Sequence, residues 1–295
     1  NDDEHASRTP RTVSRRDLLR TVGISLAVAP LSSLIGCASK ASVKSASDAS
    51  APGATADSGV VPSTTGPWAT GGTASMTGDY PDPFASGLGE ACEVTCAATL
   101  GPCYAATLAR KDISEGHDGL PTRIALLVVD ESCKPVSGID VDIWHCGPEG
   151  LYSGEDASDF CTSGDATARA ARWFRGVQTT NADGRVDFDT CFPGWYSSRT
   201  IHIHFTIRRG TTEYVTSQLV FDDALCDSIV ANEALYNTRG PRDTTNATDN
   251  VVSATSAPKH MFQTARMDDG AMLAWKTIVL RSSTSDPLCE VGNGG

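Results

Sequence analysis

From residue 122 to residue 280 the chain alternates short apolar runs with clusters of turn-forming residues. Thr122–Asp130 is an apolar run closed by Glu131-Ser-Cys-Lys-Pro135. Val136-Ser-Gly138 then turns the chain into Ile139–Cys146, where apolar and polar residues alternate with period two. Both runs predict strands. Gly176–Thr180 and Arg185–Asp189 flank Asn181-Ala-Asp-Gly184, whose Asp-Gly step predicts a β-hairpin. Thr200–Arg208 and Glu213–Phe221 predict a further antiparallel pair that turns at Arg209-Gly210, and Met272–Leu280 predicts one more strand. Helical periodicity is confined to about Asp222–Leu235. Many short strands separated by turns predict a mostly β fold, an antiparallel β-sandwich with short helices and long loops.

The preceding residues follow other rules. Residues 1–20 are polar, carry five Arg and end in Ser14-Arg15-Arg16-Asp17-Leu18-Leu19-Arg20. The apolar run Val22–Ile35 is shorter than the roughly 20 residues that span a bilayer and has the length of a signal h-region. The arginine pair resembles a twin-arginine export signal. Leu34-Ile35-Gly36-Cys37 resembles a bacterial lipobox, which is cut before the cysteine and lipidated on its thiol. The expectation is an export signal over residues 1–36 and a lipid anchor to the membrane at Cys37. The product would be an exported, extracytoplasmic lipoprotein of the periplasm or cell surface. Residues 37–85 are rich in Ser, Ala, Thr, Gly and Pro and predict a flexible tether, because so few large apolar groups cannot offset the ordering entropy. Its aromatics Trp68 and Tyr80 receive no role, and the folded domain is expected over residues 86–295.

Charge narrows the partners. Lys and Arg number 24 against 36 Asp and Glu, a net charge of -12. Such a surface repels phosphate backbones and excludes nucleic acid as a partner. Ten cysteines, scattered without the paired spacing of a zinc site, predict disulfides in an oxidising compartment; their connectivity is open.

The chemistry concentrates in Arg199-Thr-Ile-His-Ile-His-Phe-Thr-Ile207. Along a strand Ile201, Ile203, Phe205 and Ile207 share one face, and Thr200, His202, His204 and Thr206 share the other. Two histidines at i and i+2 lie about 7 Å apart at Cα, within reach of one metal ion. Upstream, Phe192-Pro193-Gly194-Trp195-Tyr196 ends a strand in a Pro-Gly turn. Ile143-Trp144-His145-Cys146 leads through Gly150 and Leu151 to a second tyrosine, Tyr152.

With these blocks on the page, the chain resembles the intradiol ring-cleavage dioxygenases, the family of protocatechuate 3,4-dioxygenase and catechol 1,2-dioxygenase. The matching blocks are Gly-Pro-x-Tyr at 101–104, Ile-Trp-His through Gly-x-Tyr at 143–152 and Phe174-Arg175-Gly176. They continue with the Thr-x-Ala-Asp-Gly turn at 180–184, Pro-Gly-Trp-Tyr at 193–196, Arg199 with His-Ile-His at 202–204, and Gln218-Leu-x-Phe221. They run in the family's order.

The resemblance implies a non-haem iron(III) held by Tyr152 and His204 equatorially and by Tyr196 and His202 axially. Hard, acidic iron(III) suits phenolate oxygen, and coordination removes the proton of a phenol whose free pKa is near 10. The partners implied are a small aromatic diol and O2, with cis,cis-muconate-type products. An incoming catechol displaces Tyr196, which takes one of its protons. Arg199 and Gln218 match residues that stabilise charge on the ring oxygens, and Pro102 and Tyr104 match a segment lining the pocket. His145, beside Cys146, reads as structural. The chain looks most like the secreted, single-domain branch, and its acidic loop 153–173 departs from the family pattern. The rival readings are a non-enzymatic β-sandwich binding lipoprotein at the cell surface, and the same site filled by another metal.

Overall fold

The computed structural model describes residues 61, 63–88 and 92–292. The export signal and lipobox read from residues 1–37 lie outside them. Eight strands are present: β1 (Pro121–Asp130), β2 (Asp140–Trp144), β3 (Arg175–Thr179), β4 (Arg185–Cys191), β5 (His202–Arg209), β6 (Thr212–Val220), β7 (Gln263–Arg266) and β8 (Met272–Leu280). They form two four-stranded sheets, ordered β4-β1-β8-β7 and β3-β2-β5-β6. Four short helices occupy the connections: α1 (Asp159–Thr162), α2 (Ala166–Ala170), α3 (Asp223–Asn232) and α4 (Ala257–His260). The mostly β sandwich expected from the apolar runs is the fold observed.

The period-two alternation decides which side of each strand meets the core. Ile201, Ile203, Phe205 and Ile207 join Val141, Ile143 and Leu219 of the same sheet. They face Ile124, Leu126, Val128, Met272 and Ala274 of the other sheet across one dry layer. Each such side chain contributes about 1.5–3 kcal/mol through burial. The opposite face of β5 therefore points away from the sandwich core, yet His202, His204 and Thr206 are buried there as well. Loops cover that face, and beneath them the polar residues collect.

Two features depart from the antiparallel, hairpin-built sandwich. β1 runs parallel to β8, with Ile124 opposite Ala274. A parallel neighbour requires a long crossover, and here the whole second sheet with its loops supplies it. The strands on either side of Asn181–Gly184 form no hairpin: β3 pairs with β2, and β4 with β1. The Asn181 side-chain oxygen does organise a tight turn, accepting the amides of Asp183 and Arg185 at 3.0 and 2.9 Å. That turn carries the chain from one sheet to the other, because each flanking strand finds its ladder with an earlier strand. A turn sequence specifies a reversal and leaves the pairing of its flanks to the core.

Residues 63–88, of which 63–85 fall in the stretch read as tether, lie along the domain. The Thr64 amide donates to the Arg266 carbonyl at 2.9 Å and the Ala69 amide to that of Gly270 at 2.9 Å. Asp269 accepts the amides of Thr77 and Gly78 and the Tyr80 hydroxyl. Trp68 packs on the main core. Tyr80 and Phe84 cover Ala125, Leu273 and Trp275 on the outer face of the first sheet. A few well-placed aromatics and saturated backbone groups order this strap despite its composition. Six of the described cysteines pair as Cys92–Cys133, Cys96–Cys289 and Cys103–Cys161, while Cys146, Cys191 and Cys226 are free and buried.

Candidate active site

Two loops carrying the tyrosines meet over the outer face of the second sheet. The Gly194 amide donates to the Gly147 carbonyl at 3.1 Å, and a Cβ on Gly194 would overlap the Pro148 carbonyl. Gly150 has a φ of +77°, and a Cβ there would overlap the Trp195 carbonyl. Backbone can approach backbone this closely only at glycine. Tyr152 and Tyr196 are thereby brought edge to face with ring centroids 5.7 Å apart. The Tyr152 amide donates to the Cys161 carbonyl at 2.9 Å, which ties this tyrosine to the Cys103–Cys161 bridge.

β5 supplies the two histidines, and all four side chains converge. The Nε2 of His202 lies 3.0 Å from Nε2 of His204, 3.2 Å from the Tyr196 hydroxyl and 3.4 Å from the Tyr152 hydroxyl. His202 Nδ1–H donates to the Thr200 carbonyl at 2.7 Å, which leaves its Nε2 a lone pair. The His204 ring stacks on Trp144, centroids 4.9 Å apart and planes at 12°. Gly101 lies over it so closely that a Cβ would meet His204 Cε1 at 3.3 Å.

The donor set fits a hard cation. Ligands about 2 Å from a common ion stand roughly 3 Å apart at right angles, and the three distances from His202 Nε2 are close to that spacing. Burial drives both imidazoles toward the neutral, lone-pair form: His202 is lowered to about 3 and His204 well below its ordinary range. Burial pushes the phenols the other way, Tyr196 to about 12 and Tyr152 well above 10. Without a cation the hydroxyls of Tyr152 and Tyr196 and a proton on His204 Nε2 compete for the one lone pair of His202. A hard cation held there would instead be met by two phenolates and two imidazoles. Among the described residues no group of three or more His, Cys, Asp or Glu side chains offers another such place.

Arg199 and Gln218 stand beside these donors. Gln218 is the register partner of His204 across β5 and β6. Arg199 donates through Nε to Asp249 Oδ2 at 3.0 Å and through Nη2 to Gln218 Oε1. Gln218 Nε2 donates in turn to the Thr99 carbonyl at 2.9 Å. Burial works to raise the Asp249 carboxyl, but Arg199 and the Thr200 and Val252 amides outweigh it and hold the group below the usual carboxylate range. Tyr104 stands behind Trp144, edge to its ring at 4.9 Å, and donates to Asp142 Oδ2 at 3.3 Å. Pro102 is exposed between Gly101 and Cys103. His145 bonds Thr190 Oγ1 and the Cys146 carbonyl and stacks on Phe174, apart from the four donors.

A cleft of about 300 Å³ opens onto the tyrosines, lined among others by Leu151, Tyr152, Phe160, Tyr196 and Arg239, with Cys103 and Cys161 in its wall. Phe160 is 69% exposed at this mouth, its ring edge-on to Tyr196 at 6.4 Å. Sequence reasoning gave no role to Phe160 or Asp249, and left Trp144 and Gly101 inside matching blocks without one. Only register exposes part of that set: Arg175, Trp144, His204 and Gln218 form one row across β3, β2, β5 and β6.

The sequence model of the family described as Dioxygenase matches residues 100–265, more than half of the chain and all four converging donors. The chain belongs to the intradiol ring-cleavage dioxygenases. An intradiol ring-cleavage dioxygenase from Tetranychus urticae superposes with a TM-score of 0.58 at 25% identity, covering 67% of this chain and 99% of that one. A second solved dioxygenase gives 0.56 at 25% identity, covering 65% and 98%. No curated protein matches the chain. As an intradiol dioxygenase the chain is an oxidoreductase of the kind that cleaves catechol-type rings.

Proposed function

We propose that this dioxygenase is a non-haem iron(III) enzyme that cleaves a small catechol between its two hydroxyls with O2, giving a cis,cis-muconate-type product. The observation that carries the proposal is the convergence of Tyr152, Tyr196, His202 and His204, with both tyrosines lining a cleft. A ferric ion bound there supplies Lewis acidity toward the catechol oxygens and the electronic route to O2.

The chain's own residues do the rest. Tyr152 is buried and tied through its amide, so it stays in place. Tyr196 is only partly buried, borders the cleft and can swing aside. Its phenolate accepts a proton from the entering catechol, and its high affinity for that proton in this buried setting keeps it there. His202 and His204 present lone pairs whose directions are set by the Thr200 carbonyl and the Trp144 ring. Arg199, held by Asp249 and Gln218, offers a fixed positive charge where negative charge grows on the ring oxygens. Preorganised donors of this kind lower the barrier without reorganising during the reaction. A binding module would leave three donors facing one lone pair with no benefit.

The test is metal analysis, absorbance and product. The purified chain should carry iron, show a reddish tyrosinate-to-iron(III) band and form muconates from a panel of catechols. A colourless protein that binds zinc instead, or that turns over no catechol when iron-loaded, sinks the reading.

We read residues 1–37 as an export signal ending in a lipidated Cys37, which anchors the enzyme outside the cytoplasm. The order of Arg15-Arg16, the apolar run and Cys37 supports this, as do three disulfides, which suit an oxidising compartment. Replacing Arg15 and Arg16 by Lys should leave precursor in the cytoplasm, and Cys37→Ser should release the enzyme from membranes. Cell fractionation reads both, and normal export or a membrane-bound Cys37→Ser enzyme overturns the corresponding half.

A further inference from the structure

Arg175 is a buried cation with no carboxylate in contact, the buried Asp142 that acts on it being paired with Arg208. It opens β3, is 0% exposed, and forms no ion pair among the described residues. Its Nε donates to the Ser153 carbonyl at 2.9 Å and to Ser153 Oγ at 3.2 Å. Its Nη2 donates to the Cys103 carbonyl at 2.6 Å and again to Ser153. Nη1 has no partner. Backbone carbonyls solvate the guanidinium in part, but they are neutral, and an uncompensated buried charge costs several kcal/mol. The other buried arginine among the described residues, Arg242, is answered by the carboxylates of Asp223 and Asp227.

The missing anion is nearby. The Arg175 guanidinium carbon lies 5.9 Å from the centre of the Tyr152 ring, and Ser153, which it grips, is the next residue along the chain. Tyr152 becomes an anion when it ligates a metal. We infer that Arg175 is a positioning residue that acts through Tyr152: it is the buried counter-charge of that tyrosinate and limits how much charge the phenolate gives to the ion. The inference rests on the iron(III) reading of the site. Both tyrosines border the cleft and stand in the field of Arg199, whereas Arg175 lies over the Tyr152 ring.

A charge nearer to the donor oxygen than to the metal stabilises the donor more than the acceptor, so removing it narrows the gap between them. Arg175→Met and Arg175→Gln should therefore retain iron, while their visible charge-transfer band moves to longer wavelength and their iron reduction potential falls. Arg175→Lys keeps the charge and should stay near the parent band. Arg175→Gln retains an N–H for the Ser153 carbonyl, which separates the charge from the loss of a hydrogen bond.

The experiment is absorbance, resonance Raman and iron content on the three iron-loaded full-length variants, with thermal midpoints alongside. Folded neutral variants whose band does not move overturn the inference. So does Arg175→Lys shifting as far as Arg175→Met. Failure of both neutral variants to fold, beside a folded parent, assigns Arg175 to loop-tying alone and overturns it too. A parent chain that takes up no iron overturns the site reading itself, which is a different failure from an unmoved band.

Discussion

His204 is the residue on which most of the site depends, because it meets a neighbour on every side. Its ring is stacked by Trp144, capped by Gly101, backed in register by Gln218 and aimed at His202. His204→Ala should abolish ring cleavage and strip the iron. Tyr196→Phe should abolish ring cleavage, since the catechol then loses its proton acceptor. Arg199→Ala should keep the iron and lower kcat about 100- to 1000-fold, the range for losing one preorganised donor. Iron analysis beside steady-state kinetics separates the three, and iron loss in Arg199→Ala equal to that in His204→Ala would make Arg199 structural. Gly101→Ala is a sharper probe. Its φ of +74° disfavours any side chain by about 1–2 kcal/mol, and its Cβ would press on His204 Cε1. A small drop in thermal midpoint with a larger drop in iron affinity is expected; intact iron affinity would show that the ring gives way.

The elements were readable from the chain in proportion to how local their causes are. The alternation of Ile201 to Ile207 with His202 and His204 placed β5 and both its faces correctly, because strand geometry alone dictates it. The outer face of β5 is nevertheless buried, and no local pattern announces the loops that bury it. Asn181–Gly184 read correctly as a turn and incorrectly as a hairpin, since pairing is chosen by partners distant in sequence. Arg175 stands in the matching block Phe174-Arg175-Gly176 without a role until register sets it beside Trp144. Asp249 sits 50 residues from Arg199, a separation no motif spans. The same long-range logic makes the Cys103–Cys161 bridge testable. It closes a separation of 58 residues, which in the chain-entropy account stabilises by about 4 kcal/mol. Cys103→Ser with Cys161→Ser should lower the denaturant midpoint accordingly. Activity should fall more than stability, because the bridge joins the Gly101 segment to the loop bearing Phe160. Unchanged activity in a folded double variant would remove the bridge from any part in shaping the cleft.

Acid should unfold the domain in a window set by its buried histidines. Burial lowers His145 and His260 to about 4, from an ordinary value near 6.5. Between those values the unfolded chain takes up protons that the folded chain refuses, so stability falls as pH drops from about 6.5 toward 4 and is unaffected by them above it. Each group contributes a slope of up to about 1.4 kcal/mol per pH unit. Denaturant midpoints at pH 7 and pH 5 should differ, and His260→Gln should flatten the difference. His202 and His204 act in the same direction in the iron-free protein. A midpoint that is level across this window would mean that these rings are charged in the fold.

Tyr80 and Phe84 of the strap lie on the outer face of the β4-β1-β8-β7 sheet, whereas the two histidines and two tyrosines converge on the outer face of β3-β2-β5-β6. The domain therefore wears its strap on its back and keeps its mouth clear, as a vessel held from behind leaves its opening free for small molecules.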